Sequence, residues 1–139
     1  MRIKHEADML AAGATFANTL TPGMLVFLVG DLGAGKTTFV RGALKELGHQ
    51  GSVKSPTYNI VEPYELAGQS LYHFDLYRVS DAEELEYMGI RDYLTAESIA
   101  FVEWPNRGEG VLPEADIVIN IDIQGEERTL TIKPKTNEH

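Results

Sequence analysis

Residues 24–40, MLVFLVGDLGAGKTTFV, join an apolar run to a glycine-rich loop and then to a segment with helical spacing. The run at 24–29 is continuous and apolar, which is typical of a strand buried on both faces of a parallel sheet. From Lys36 onward, apolar residues recur at helical spacing until Gly48, where we expect the helix to end. The stretch therefore predicts a strand, a loop and a helix at the start of an α/β domain.

The loop between these two elements fits the Walker A pattern, since Gly30 is followed at fixed spacing by Gly35, Lys36 and Thr37. Glycines let backbone N–H groups turn inward around a phosphate, and the helix dipole adds to the attraction. Lys36 would bridge the β- and γ-phosphates of a nucleotide, and Thr37 would ligate Mg²⁺. Asp31 is expected to face outward or to cap a turn, because its unpaired carboxylate would repel phosphate. The loop therefore predicts nucleotide binding.

The rest of the chain continues the α/β pattern. Helices are predicted at residues 6–20 and after Ser80, which forms a capping-box pattern with Glu83. Five further strands are predicted from apolar or alternating runs, at residues 57–66, 70–77, 98–104, 117–123 and 128–134. The first two would form a hairpin, with Pro63 on an edge strand. We predict one P-loop domain over residues 1–139, with a mixed sheet flanked by helices and antiparallel strands near the C-terminus.

Composition narrows the functional classes. The 139-residue chain has 12 basic and 21 acidic residues, a formal net charge of −9, which argues against sequence-independent binding to nucleic acid. It has no cysteine, so disulfides and thiolate metal sites are excluded. The N-terminus lacks the apolar core of a signal peptide, and no run approaches the length of a membrane span. We expect a soluble cytoplasmic protein without membrane contact.

Two strand ends compete to supply the carboxylate that a nucleotide site needs for Mg²⁺ or for the attacking water. One predicted strand delivers Asp75 and another delivers Glu103. In a parallel sheet both would emerge at the carboxyl edge beside the loop, where ligands bind such folds. The sequence leaves open which of the two contacts the metal.

Other residues support more than one interpretation. Thr57 follows a polar segment and would either reach the metal or γ-phosphate or lie in a turn before a strand. His73 is expected to be structural, and Trp104 to lie in the core or to cover the site or a partner. No arginine is an evident built-in finger, because Arg41 lies on the helix after the loop and Arg78 has acidic neighbours. The chain also lacks the N-K-x-D segment of guanine-specific P-loop proteins, which favours adenine.

Taken together, six segments resemble the TsaE family, once called YjeE, in order and spacing. They are GDLGAGKTT at 30–38, VKSPTYN at 53–59, YHFDLYR at 72–78, EELEYMGIRDY at 83–93, FVEWP at 101–105 and LPEADI at 112–117. The resemblance implies a small ATPase of bacterial tRNA threonylcarbamoyladenosine (t6A) synthesis, with an ATP-binding α/β fold and Mg²⁺ as cofactor. It implies TsaB and TsaD as partners, which attach the threonylcarbamoyl group to adenosine 37 of tRNA. The protein would meet tRNA only through that complex, and would be monomeric or weakly self-associating alone.

The resemblance also implies roles for individual residues. Phosphate is bound by the loop and first helical turn, through Gly33, Ala34, Gly35, Lys36, Thr37 and Thr38. Thr37 and Glu103 hold Mg²⁺, Asp75 positions the attacking water, and Thr57 is a switch residue. The segment entering the first helix lies near the adenine, which places His5 and Glu6 there. Catalysis is thus assigned to Asp75, Glu103 and Lys36.

Three functions remain open on the sequence. The first is an ATPase that is slow alone and stimulated by its partners. The second is a small-molecule kinase that uses the same loop, although a chain of this length hardly supplies a second pocket and a basic lid. The third is a nucleotide-dependent binding module with little turnover.

Overall fold

The computed structural model describes residues 1–51, 53 and 60–134. Seven strands form one sheet in the order β1-β7-β6-β2-β5-β4-β3. The strands are β1 Arg2–Ile3, β2 Leu25–Val29, β3 Val61–Leu66, β4 Gln69–Asp75, β5 Ile99–Glu103, β6 Ile117–Gln124 and β7 Glu127–Pro134. The helices are α1 Glu6–Ala17, α2 Lys36–Glu46 and α3 Glu83–Tyr87, with 3₁₀ turns at Ile90–Asp92 and Pro105–Gly108.

The centre of the sheet is parallel. Strand β2 pairs in parallel with β5 on one side and with β6 on the other, and β4 pairs in parallel with β5. Strands β3, β7 and β1 add antiparallel neighbours outside this centre. The prediction of a mixed sheet is therefore confirmed, and the carboxyl ends of β4, β5 and β2 meet at one edge.

Helices cover both faces of the sheet because alternate residues of the central strands are apolar on both sides. On one face α1 and α2 pack over Leu28, Phe101 and Ile119. On the other face α3 and the first 3₁₀ turn pack over Phe74 and Val102. The result is a three-layer α/β arrangement in which the sheet lies between two helical layers. The glycine-rich loop follows β2, which lies between β5 and β6 in the sheet.

Two glycines let α1 and α2 approach each other closely. A Cβ atom built on Gly13 would lie 2.0 Å from the carbonyl oxygen of Phe39, and one built on Gly42 would lie 2.1 Å from that of Leu10. Such distances are impossible for a real side chain, so both positions require glycine. This contact holds the middle of α1 against α2 between Phe39 and Gly42.

The predicted hairpin is confirmed for the described residues. Strands β3 and β4 are antiparallel, Pro63 pairs with Tyr72, and β3 is the last strand of the sheet. The capping-box prediction was wrong in its acidic partner. The backbone N–H groups of Ser80 and Asp81 donate to Glu84 Oε2 at 2.8 and 2.9 Å, because α3 begins at Glu83 and the next carboxylate reaches back over its first turn.

Candidate functional site

The glycine-rich loop ends where α2 begins. Gly35 precedes the helix with a φ of 108°, a left-handed conformation that favours glycine, and Lys36 is the first helical residue. The first N–H groups of a helix have no acceptor within it, so this end can bind an anion. The preceding Ala34 is buried, and Met9 of α1 packs against Gly35.

Lys36 carries a buried cation. The residue is 5% exposed, and its Nζ has no hydrogen-bond partner among the residues that the structure describes. The ammonium lies 3.8 Å from the centre of the Trp104 ring. Burial lowers the pKa of Lys36, and nearby carboxylates act in the opposite direction; they belong to Glu103, Asp75 and Asp31. An unpaired buried ammonium is costly, and a phosphate oxygen would satisfy it.

The two carboxylates predicted at strand ends lie side by side. Asp75 of β4 and Glu103 of β5 are partners in the parallel register, and Glu103 is also the partner of Leu28 in β2. The hydroxyl of Thr37 donates to Glu103 Oε2 at 3.2 Å. The structure therefore brings together a carboxylate and a hydroxyl at the start of α2, beside the buried lysine.

Asp75 occupies a half-buried position next to this pair. Burial raises the pKa of its carboxyl group, and the Glu103 carboxylate acts in the same direction, whereas the N–H of Tyr77 acts against it. That N–H donates to Asp75 Oδ1 at 3.0 Å. A carboxylate with a raised pKa is a better proton acceptor than an exposed aspartate, which suits it to general-base chemistry.

His73 contacts a predicted site residue, and sequence reasoning did not identify that contact. It was expected to be structural rather than catalytic, and its ring is fully buried, with Nε2 2.5 Å from Glu103 Oε2. The signal was the spacing of His73 and Asp75, which places both on one face of β4. Without the pairing of β4 with β5, that spacing did not identify Glu103 as the partner.

Trp104 closes one side of the site. It follows Glu103 with a φ of 57°, which is rare outside glycine, and its ring contacts that of Tyr77 at 5.0 Å between centroids. A cavity of about 200 Å³, the Trp104 cavity, opens here. Its lining residues are Leu28, Val29, Gly30, Asp31, Lys36, Trp104, Pro105, Asn106, Ile121, Asp122 and Ile123. Of the alternatives for Trp104, the structure favours a cover over the lysine.

A second cavity of about 230 Å³, the Arg128 cavity, lies on the other side of the loop. Its lining residues are Ile3, Lys4, His5, Glu6, Met9, Gly33, Ala34, Gly35, Thr38, Glu126 and Arg128. Arg128 Nη2 donates to the carbonyl oxygen of Gly33 at 3.3 Å. Glu6 is paired with Arg41 at 3.3 Å. The resemblance implied that His5 and Glu6 lie near the adenine, and the structure places both in the wall of this cavity. Sequence reasoning missed Arg128, which reaches the loop from β7.

Three further findings bear on the predicted site. Thr57 lies outside the described residues. Within the described ranges, no group of three or more His, Cys, Asp or Glu residues is arranged to hold a metal ion. A metal at Thr37 and Glu103 would therefore need ligands from a nucleotide, as is common for Mg²⁺. A separate search of the same part of the chain finds no helix long and apolar enough to cross a membrane.

Known proteins with the same architecture give the site a context. The family model described as threonylcarbamoyl adenosine biosynthesis protein TsaE matches residues 3–131. The Haemophilus influenzae protein named tRNA threonylcarbamoyladenosine biosynthesis protein TsaE is 52% identical over 140 residues, covering 97% of this chain and 89% of the relative. The Bacillus subtilis protein of the same name is 39% identical over 119 residues, covering 85% and 74%. The crystal structure of Bacillus subtilis YdiB superposes with a TM-score of 0.82 at 30% identity, covering 99% of this chain and 85% of the other.

Proposed function

The chain belongs to the TsaE family, and from this premise we propose that it is an ATP-binding and ATP-hydrolysing protein of t6A biosynthesis. In this proposal it acts in the cytoplasm with TsaB and TsaD, which threonylcarbamoylate adenosine 37 of tRNA. It contacts tRNA through that complex. The names of its relatives support the pathway. The chemistry of the site supports the nucleotide.

One observation carries the nucleotide assignment. The Lys36 ammonium is buried and lacks a hydrogen-bond partner in the described part of the chain, while Thr37 and Glu103 meet beside it. A triphosphate provides oxygens for the ammonium and for the N–H groups at the start of α2. In this arrangement the phosphates lie along the loop through Gly33, Ala34, Gly35, Lys36, Thr37 and Thr38.

Thr37 and Glu103 would hold Mg²⁺ together with phosphate oxygens, because a hydroxyl and a carboxylate are ligands that this ion accepts. Bound Mg²⁺ would neutralise charge on the β- and γ-phosphate oxygens. Lys36 would contact the same oxygens as charge develops on them. The Trp104 ring lies over the ammonium, whose Nζ is 3.8 Å from the ring centre.

Asp75 would position the attacking water. Its carboxylate accepts a hydrogen bond from that water and takes its proton as the oxygen–phosphorus bond forms. The bond between the γ-phosphorus and the β–γ bridging oxygen breaks, and ADP leaves with that electron pair. The raised pKa of Asp75, caused mainly by burial, favours this acceptance.

The Arg128 cavity would take the nucleoside end of ATP. It lies on the side of the loop that includes Thr38 and the start of α1, and Glu6 lines it. The Arg128 guanidinium beside Gly33 would add positive charge near the phosphates. In an acidic protein, this charge and Lys36 would offset the repulsion of a polyanionic ligand.

Lys36→Met tests the assignment. Isothermal titration with ATP and Mg²⁺ should show binding to the parent protein and a loss of at least about tenfold in the variant, since charge-assisted contacts to phosphate are lost. Lys45→Met, at an exposed position near the end of α2, is the matched control. Equal ATP affinity in folded Lys36→Met and parent protein would refute the assignment of this loop.

A further inference from the structure

The buried contact between His73 and Glu103 is not explained by the residues assigned so far. His73 is fully buried on β4, and its Nε2 lies 2.5 Å from Glu103 Oε2. The same carboxylate oxygen accepts a hydrogen bond from the hydroxyl group of Thr37 at 3.2 Å. Glu103 is itself only 3% exposed, so these two groups are its close polar neighbours in the described structure.

We propose that His73 is a positioning residue, whose Nε2–H donates to Glu103 Oε2 and holds that carboxylate against Thr37. The donor fixes one oxygen of Glu103 and thereby the direction of the other. In metal sites, groups that hydrogen-bond a ligating carboxylate set its orientation in this way. The metal part of this inference rests on the proposed function, in which Thr37 and Glu103 hold Mg²⁺.

Packing alone does not account for a histidine here. Leu71 lies two residues before His73 on the same face of β4, and Phe101 on β5 is the register partner of His73. Both Leu71 and Phe101 are fully buried and apolar. An apolar residue at position 73 would continue that surface. The histidine instead leaves Nδ1 buried with no hydrogen-bond partner in the described ranges. A buried polar atom without a partner destabilises the fold, so the benefit of histidine lies at Nε2.

Two variants separate positioning from packing. His73→Leu removes the donor and keeps an apolar side chain, whereas His73→Gln retains an N–H near the position of Nε2. Leu71→Val is the matched control, because it disturbs packing on the same face without a contact to Glu103. ADP affinity is measured by titration in excess EDTA and in excess Mg²⁺, and the ratio of the two affinities is the magnesium gain.

In His73→Leu the magnesium gain should fall by about 10- to 100-fold, while ADP affinity in EDTA stays near the parent value. His73→Gln should recover most of the gain, and Leu71→Val should keep it. If His73→Leu and Leu71→Val retain the gain alike, or if both lose affinity in EDTA and Mg²⁺ equally, His73 is structural and the inference is wrong. If the parent protein shows no magnesium gain, the proposed metal site is wrong and the positioning role fails with it.

A spectroscopic measurement tests the donor directly. In ¹⁵N-histidine-labelled protein without nucleotide, the His73 ring should show a protonated Nε2, assigned by loss of its signal in His73→Gln. The proton on Nε2 should persist when ADP and Mg²⁺ are added. A bare Nε2, with the proton on Glu103 or on Nδ1 alone, would overturn the inference even if the variants bind poorly.

Discussion

At the scale of single residues, burial shifts the pKa values of Lys36 and Asp75 in the directions that favour their neutral forms. The pKa of Lys36 is lowered by burial, and the pKa of Asp75 is raised by it. Both shifts mean that the folded chain without ligand holds charges that water would solvate better. Residues of this kind are retained for binding or catalysis at some expense in stability.

Lys36→Met should therefore raise the thermal stability of the ligand-free protein while it weakens ATP binding. The methionine fills a similar volume without a charge to desolvate. We expect Tm to rise by roughly 2–5 °C at pH 7 in differential scanning calorimetry. The unfolded chain binds the Lys36 proton up to a higher pH than the folded chain, so parent stability gains as pH rises between the two pKa values. The advantage of the variant should shrink over that alkaline window, and a constant or growing advantage would contradict this explanation.

The two carboxylates should separate binding from turnover. Glu103→Gln removes a charged metal ligand, so the magnesium gain in ADP affinity should be lost. Asp75→Asn should keep Mg²⁺-ATP affinity within a few-fold and lower kcat by about 10²–10⁴, because it removes a proton acceptor used in the transition state. Phosphate release with TsaB and TsaD present measures the second effect. The exposed Glu109→Gln serves as control, and parent-level kcat in Asp75→Asn would remove Asp75 from catalysis.

At the scale of elements, the close contact of α1 with α2 links the Arg128 cavity, where we propose that the nucleoside binds, to the glycine-rich loop. Gly13 and Gly42 allow the helices to touch through backbone atoms, and Met9 of α1 then packs on Gly35. Phe16 of α1 also contacts the rings of Phe39 and Phe101. The wall of the Arg128 cavity thus depends on the packing of α1 against α2, the helix that begins at Lys36.

Gly42→Ala should destabilise the protein by more than about 1–3 kcal/mol, the usual range for overpacking, because the new methyl group meets a backbone carbonyl that cannot move aside. Urea unfolding should show a lower midpoint with little change in slope. At subdenaturing urea, ADP affinity should also fall as α1 is displaced. Ala11→Ser adds one atom on the exposed face of α1 and should leave both quantities nearly unchanged. Equal stability of Gly42→Ala and the parent would show that the helices can separate freely.

How far the sequence predicted this structure depends on the range of the interaction. The strand before the loop, α2 and the β6–β7 pair follow from local apolar patterns, and Asp75 and Glu103 follow from strand ends. The contacts of His73 with Glu103 and of Arg128 with Gly33 join residues 30 and 95 positions apart. They depend on strand order and register, which local patterns do not specify. The N–H groups before α3 bond to Glu84 and not to the predicted Glu83, because local patterns place the start of a helix only to within a residue or two.

At the scale of the whole molecule, charge and surface both favour action with other proteins. The chain carries a net charge of −9, and the nucleotide that we propose it binds is also an anion. Apolar side chains remain exposed around the Trp104 cavity, at Val29 and Ile123 in its wall and at Leu32 in the loop, which is 68% exposed. A protein partner would cover such a rim, whereas free tRNA would be repelled by the net charge.

The last prediction is that ATP hydrolysis is slow in the isolated protein and is stimulated by TsaB–TsaD. No arginine is among the described residues that line the Trp104 cavity, in whose wall Lys36 would meet the γ-phosphate. Arg41 is held by Glu6, and Arg128 contacts Gly33 on the opposite side of the loop. P-loop GTPases that lack a built-in arginine finger gain about 10³–10⁵ in rate when a partner protein supplies one.

Phosphate release should be compared for the protein alone, with TsaB–TsaD, and with TsaB–TsaD plus Lys36→Met in place of the parent. Stimulation should appear only in the second mixture, and pull-down of the pair should be stronger with ATP than with ADP. If TsaB–TsaD binds equally well with ATP and with ADP, its association with the protein does not depend on the nucleotide in the site. Fast hydrolysis by the protein alone, unchanged by TsaB–TsaD, would mean that the chain completes its own site.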